Sequence, residues 1–203
     1  MALRKASSYS KKHAVPYTRK SKIKQKSYIK AVPPQKIVKF HLGNTQGFMQ
    51  GKFPYMVRML ADEYCQVRDN ALEACRQYIN KQLDVACPAQ FYFKVSPVPH
   101  HILRENKMIT GAGADRMQTG MQLSFGKAIG RAAIVKKGTE IFMVAVSNDK
   151  HLITARNILG DVKAKLPCKT RFVFEKAGQK QANAPKPVTT APAAVPAASA
   201  PSA

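Results

Sequence analysis

The stretch with the most chemical promise runs from residue 106 to 127 and reads NKMITGAGADRMQTGMQLSFGK. It holds four glycines (Gly111, Gly113, Gly120, Gly126) and three cations (Lys107, Arg116, Lys127) against one acid, Asp115. Glycine-rich cationic loops bind nucleotide phosphates in two common patterns, and this one meets neither. A G-x-G-x-x-G turn starting at Gly111 needs glycine where Arg116 stands. A phosphate loop ending at Gly126-Lys127 needs glycine at 121 and Ser or Thr at 128, where the chain has Met121 and Ala128. The double mismatch argues against a nucleotide-cleaving enzyme. Glycines also let a backbone approach RNA closely, and methionines fill gaps against sugars and bases. On that reading Asn106, Lys107, Met108, Gly111, Gly113, Arg116, Gln118, Thr119, Gly120 and Lys127 are candidate RNA contacts. The bland alternative is a solvated, disordered surface loop.

The cysteines and histidines offer less. Cys65, Cys75, Cys87 and Cys168 include no C-x-x-C pair, so neither a zinc ribbon nor a thioredoxin-like motif is expected. The thiols fit a reducing, cytosolic compartment better than a disulfide framework. His13, His41, His100, His101 and His151 form no ligand spacing, and His100-His101 would point to opposite faces of a strand. An enzyme would have to take Cys168 or Cys65 as nucleophile with His100 or His101 as base, and nothing in their spacing favours it. No metal and no cofactor are expected.

Charge supplies the stronger constraint. The 203 residues carry 34 Lys and Arg against 11 Asp and Glu, a formal net charge of +23. Self-repulsion of this size costs stability unless a polyanion neutralises it, and nucleic acid is the commonest one. A membrane is the weaker choice, because no run of about 18 apolar residues could span it. Residues 1–30 show no apolar core of a secretory signal. Their eight Lys and two Arg lack the apolar helical face of a transit peptide.

The charges divide the chain in three. Residues 1–35 carry ten cations and no acid: Arg4, Lys5, Lys11, Lys12, Arg19, Lys20, Lys22, Lys24, Lys26 and Lys30. Tyr9, Tyr17 and Tyr28 are interleaved with them. Too little here is apolar to offset the entropy of folding alone. Cations can meet phosphates and a tyrosine such as Tyr17 can stack on an unpaired base, so this part reads as an RNA-binding arm rather than a merely solvated tail. Residues 176–203 are rich in Ala and Pro and read as a flexible, disordered tail.

Residues 36–175 are the expected folded domain. Residues 36–41 (KIVKFH) and 54–60 (PYMVRML) are strand-like. Asn70 to Glu73 fits a capping box, after which Leu72, Cys75, Ile79 and Leu83 recur at helical spacing. Residues 90–98 put Phe91, Phe93 and Val95 on one face of a half-buried strand. Residues 131–135 and 140–146 are apolar runs that a turn at Lys136-Lys137-Gly138-Thr139 joins into a hairpin. Residues 149–165 form a second helix with Leu152, Ala155, Ile158, Leu159 and Val162 inward, and 169–175 a last strand. These elements predict an α+β domain, with two helices on one face of a mostly antiparallel sheet and residues 106–127 as a long loop between strands.

Several blocks carry a resemblance. AGADRMQTGM at 112–121, within a longer stretch ending in FGK, resembles the signature of the universal large-subunit ribosomal proteins of the L-sixteen family, in their archaeal and eukaryotic (L-ten-e) branch. KAKLPCKTRFV at 163–173 is similar to the end of that family's domain, ALEACRQYINK at 71–81 to its first helix, and PYTRK at 16–20 to part of its arm. The arm opening LRKASSYS at 3–10 departs from the family pattern, as do Gln122, Leu123 and Ala128. Arg131, Lys163, Lys165 and Lys169 join the expected RNA contacts. The resemblance implies a structural protein in a cleft of large-subunit rRNA beside the peptidyl-transferase centre. Its loop would point toward that centre, and its partners would be rRNA, tRNA and neighbouring ribosomal proteins on the cytoplasmic ribosome. A non-ribosomal RNA chaperone or tRNA-binding protein is the competing reading.

Overall fold

The computed structural model describes residues 7–10, 31–105 and 126–176. In chain order these form α1 (Ser7–Ser10), β1 (His41–Gly43), α2 (Thr45–Met49), β2 (Tyr55–Ala61), β3 (Cys65–Arg68), α3 (Asp69–Ala86) and β4 (Phe91–Val95). There follow β5 (His101–Glu105), β6 (Lys127–Val135), β7 (Glu140–Val146), α4 (Asp149–Val162), a 3-10 turn (Lys163–Lys165) and β8 (Thr170–Lys176). The class is α+β, as the patterning predicts. The strands form two antiparallel sheets instead of one: five strands in the order β1-β4-β7-β2-β8, and three in the order β3-β6-β5.

Both helices bury the faces their periodicity marks. Leu72, Cys75, Ile79 and Leu83 of α3 are fully buried, as are Ala155, Leu159 and Val162 of α4. They meet Phe91, Phe93 and Val95 of β4, Val57 and Met59 of β2, and Phe142, Val144 and Val146 of β7. Val67 of β3 and Ala133 and Val135 of β6 join the same core, so both sheets and both helices enclose one apolar interior. Among the described residues no helix is long and apolar enough to cross a membrane.

Four local expectations need correction. Residues 36–40 do not form a strand; pairing with β4 begins only near the Phe40 carbonyl, which accepts from the Val95 amide at 2.8 Å. The amides just before it are taken by the first turns of α3. Lys36 N–H donates to Asp69 Oδ2 at 3.4 Å and the Val38 amide donates to the Glu73 carboxylate. These bonds draw the segment onto the helix and bury Ile37. The capping box is also absent, because α3 starts two residues earlier with Arg68 as N-cap and no side-chain cap. Glu73 turns instead to Arg76, which grips it through Nε at 2.8 Å and Nη2 at 2.6 Å.

The expected hairpin is a third correction. The turn exists, with Gly138 at φ +82° and Thr139 N–H donating to the Lys136 carbonyl at 3.0 Å. Its flanking strands do not pair with each other: β6 lies between β3 and β5, and β7 between β4 and β2. The turn is pinned to the end of β2, where Gly138 N–H donates to the Ala61 carbonyl and Ala61 N–H to the Thr139 carbonyl. It carries the chain from the small sheet to the centre of the large one. Lastly, β4 is buried on both faces. Behind it, Tyr92 packs with Phe53, Met143 and Ala145, and Phe48 of α2 stacks on the Tyr92 ring at 4.2 Å between centroids.

The close pairing of β1 on β4 rests on Gly43. Its φ is +80°, and a Cβ there would collide with the Phe91 carbonyl oxygen. Gly51 has a similar φ of +73° but open space around it. Gly51→Ala is expected to cost only the left-handed backbone strain, about 1–2 kcal/mol. Gly43→Ala adds a backbone collision and should exceed roughly 3 kcal/mol. Urea unfolding of the two variants compares them directly, and equal midpoints would sink the steric account.

His101, at the start of β5, lies against the protein interior while His100 is exposed. Burial, reinforced by the Arg104 charge, holds the His101 imidazole below its ordinary value of 6.5. The unfolded chain therefore takes up a proton near pH 6.5 that the folded chain refuses, and stability present above that pH is lost as pH falls through it. Between pH 7.5 and 5.5 the melting temperature of the native chain should fall more steeply than that of His101→Gln. Parallel slopes would remove His101 from the account.

Candidate nucleic-acid interface

The described residues carry twenty Lys and Arg against ten Asp and Glu. Most of the acids are engaged inside the molecule. Arg58 pairs with Glu140 at 3.4 Å and with Glu175 at 2.9 Å, Arg76 with Glu73 at 2.6 Å, and Arg171 with Asp62 at 3.4 Å. The Arg76 guanidinium holds the Glu73 carboxyl below the usual carboxylate range, and burial pushes Asp69 above it despite bonds from the Asn70 and Lys36 amides. Glu105 accepts from Tyr9 Oη at 3.1 Å, Asp161 from Tyr78 Oη at 3.0 Å, and Asp84 from Asn80 Nδ2 at 2.7 Å. Lys36, Lys39, Lys52, Lys81, Lys136, Lys137, Lys150 and Arg156 meanwhile lie exposed. A surface built this way leaves many cations open while most of its acids are bonded to the chain's own side chains.

Five of the sequence-predicted contacts fall in the described residues. Lys127 opens β6 opposite Glu105, at the two strand ends that bracket residues 106–125, and is exposed. Arg131, further along β6, is half-buried and donates from Nε to the Pro33 carbonyl at 2.8 Å. It fastens the start of the domain, so its guanidinium is partly committed before any RNA arrives. Lys163 and Lys165 occupy the 3-10 turn after α4. The Lys163 ammonium sits 4.2 Å from the Phe172 ring centroid and that of Lys165 4.7 Å from the Tyr78 ring. Cation–π contact restrains both side chains without neutralising them. The same two charges lie just beyond the C-terminus of α4, where they also complement its dipole. Lys169 is 84% exposed and 3.5 Å from Glu63, an open ion pair of the kind that contributes little and yields readily to a stronger anion.

The remaining predicted contacts lie outside the described residues: the arm cations from Arg4 to Lys30 with Tyr17, and Asn106, Lys107, Met108, Gly111, Gly113, Arg116, Gln118, Thr119 and Gly120. One arm segment is described. The α1 turn docks on the domain, with the Arg68 guanidinium 5.6 Å from the Tyr9 ring centroid and Tyr9 bonded to Glu105. From sequence alone Tyr9 is marked only as a partner for bases, and nothing marks Arg68. The i,i+2 alternation of β8 was the available signal for Arg171, which lies exposed beside Lys169.

The geometry does not assemble a cysteine–histidine pair from Cys65 and His101. Cys65 pairs in register with Val135 and His101 with Ala132, on opposite sides of β6. Standard strand spacing separates them by roughly 14 Å. Among the described residues no group of three His, Cys, Asp or Glu could hold a metal ion.

Comparison with known proteins agrees with this picture. Residues 12–173 match the family model described as ribosomal protein L16p/L10e. The chain is 43% identical over 176 residues to large ribosomal subunit protein uL16 of Staphylothermus marinus, covering 86% of this chain and 95% of the relative. It is 42% identical over 178 residues to the uL16 of Thermofilum pendens, covering 87% and 99%. It is 44% identical over 154 residues to that of Methanoculleus marisnigri, covering 75% and 88%. A match of this length, on a chain with so large an excess of exposed cations, places it: the chain belongs to the ribosomal protein L16p/L10e family.

Proposed function

We propose that the chain docks on large-subunit rRNA through its outward cations and its arm, and that residues 106–127 extend from that dock toward tRNA bound beside the peptidyl-transferase centre. As a member of a ribosomal protein family it is a structural constituent of the large subunit and not an enzyme. The observation that carries the rRNA reading is the internal commitment of the acids. With Glu73, Glu140, Glu175, Asp62 and Asp161 held by the chain's own side chains, the exposed lysines have few internal counter-ions, and a phosphate backbone supplies them. Phosphate contacts fix position and carry no sequence information, which suits a protein placed by a folded RNA surface. The tRNA reading rests on the long glycine-rich segment. About 20 residues folded as an extended hairpin reach roughly 30 Å, at about 3.3 Å per residue. Neighbouring ribosomal proteins are further partners, and the cytoplasmic ribosome is the location this function requires.

Two measurements test the division of labour. Each neutralised phosphate contributes roughly 0.7–0.9 to the log–log salt dependence of RNA binding. If six or more of the ten arm cations meet phosphate, deleting residues 1–30 should reduce the slope by about five. That deletion removes the Tyr9 contacts with Arg68 and Glu105 but leaves the Pro33 carbonyl for Arg131. An unchanged slope would show that the arm does not bind phosphate.

Arg116→Ala should slow peptide-bond formation more than it lowers the yield of assembled large subunits. One cation of 34 changes the docking charge little, whereas the middle of a segment that leaves and returns to the domain is the part with the farthest reach. The experiment compares subunit yield with single-turnover peptide transfer in ribosomes carrying the variant. A collapse in yield with normal transfer would make residues 106–127 an assembly element.

A further inference from the structure

Two of the four cysteines are neighbours across 103 residues of sequence. Cys65 opens β3 of the small sheet, and Cys168 stands two residues before β8 of the large one. The segments that carry them are clamped together. Asp62 N–H donates to the Lys169 carbonyl at 2.9 Å, and Ala61 pairs in register with Thr170. Glu63 pairs with Lys169 at 3.5 Å and Asp62 with Arg171 at 3.4 Å. Within this clamp Cys65 and Cys168 join the same buried cluster, and each thiol acts most strongly on the other's ionisation. Both are reduced and nearly enclosed, Cys65 at 5% exposure and Cys168 at 9%.

We propose that Cys65 and Cys168 form a dithiol site that hydroperoxides oxidise reversibly to a disulfide, joining the start of β3 to the approach of β8. The proton arrangement favours an order of events. The nearness of the two thiols holds Cys168 below its ordinary value and Cys65 well above it. Burial and the carboxylates of Glu63 and Asp62 oppose ionisation of Cys168, and the neighbouring Cys65 thiol outweighs them. Cys168, the more exposed of the pair, is therefore the attacking thiolate. It attacks one peroxide oxygen, the O–O bond breaks, and Cys168 becomes a sulfenic acid as water leaves. Cys65 then loses its proton and attacks that sulfur. The S–O bond breaks, a second water leaves, and the disulfide forms. Two thiols lose two electrons and one hydrogen peroxide is reduced to two waters. A small thiol reductant reverses the step by exchange. Cys75, whose thiol burial pushes up to about 12, and Cys87, raised by burial alone, have no such partner arrangement and act as internal controls.

The test uses the full-length reduced protein, hydrogen peroxide as the probe, thiol alkylation as the quench and peptide mass mapping as the readout. The expected product is a cross-linked peptide pair containing Cys65 and Cys168, two hydrogens lighter than the reduced peptides and lost on adding dithiothreitol. Cys75 and Cys87 should be alkylated only after denaturation. Closing a loop of this length should raise the thermal midpoint by roughly 5 °C or more. The mapping needs no variant, so it stands even if Cys168→Ser fails to fold. Sulfinic or sulfonic acid at Cys168 without the cross-link, bridges between different molecules, or a cross-link seen only in denaturant would each overturn the proposal.

Discussion

The scarcity of negative charge governs this molecule. The chain sets 11 acids against 34 cations, and among the described residues most of the acids serve as fasteners. Asp69 and Glu73 draw residues 36–38 onto α3, Glu140 and Glu175 anchor Arg58 on the outer face of the large sheet, and Asp62 helps close the seam between β2 and β8. Fastening of this kind lowers repulsion locally while leaving the overall excess in place. So large an excess costs the compact state stability, and a neighbouring polyanion relieves that cost. Fold and function thus answer to the same imbalance.

How much of this was legible depended on range. The helix faces were readable because side-chain period is a local property: Leu72, Cys75, Ile79 and Leu83 recur on one stripe and are all enclosed. The Phe91, Phe93 and Val95 alternation was readable for the same reason. What failed was long-range. Residues 36–40 look like a strand in isolation, and only carboxylates more than thirty positions away remove their amides from pairing. The run 140–146 looks like half of a hairpin, but buried on both faces it needs two distant partners, β2 and β4. The strand Cys65–Arg68 is too short to leave a period at all.

The interface follows the same divide. Its cations and their density are visible in the residue string, and the long glycine-rich block carries a family resemblance beyond anything charge could specify. The restraint of Lys163 by Phe172 and of Lys165 by Tyr78 is not visible there, because each ring arrives from a different element. Nor is the role of Arg131, which depends on where residue 33 passes. The Cys65–Cys168 contact is the extreme case: spacing rules for cysteine search short intervals, and these two meet only because β2 pairs with β8.

The order of strands in the large sheet bears on how the chain is made. Going across it, β1 and β4 form one flank and β2 and β8 the other, with β7 the only strand between them. A polypeptide synthesised from its N-terminus completes β1, β2 and β4 well before residue 146 leaves the exit tunnel. Until then β2 has no partner on either side, since β7 and β8 are both still to come. The nascent chain can wind α3 early, but its main sheet must wait for the last quarter of the folded domain. Sheets that close this late, through contacts distant in sequence, assemble slowly and leave strand edges uncovered meanwhile. Translation speed through residues 61–140 is thus a physical variable in the birth of a component of the translation machinery itself.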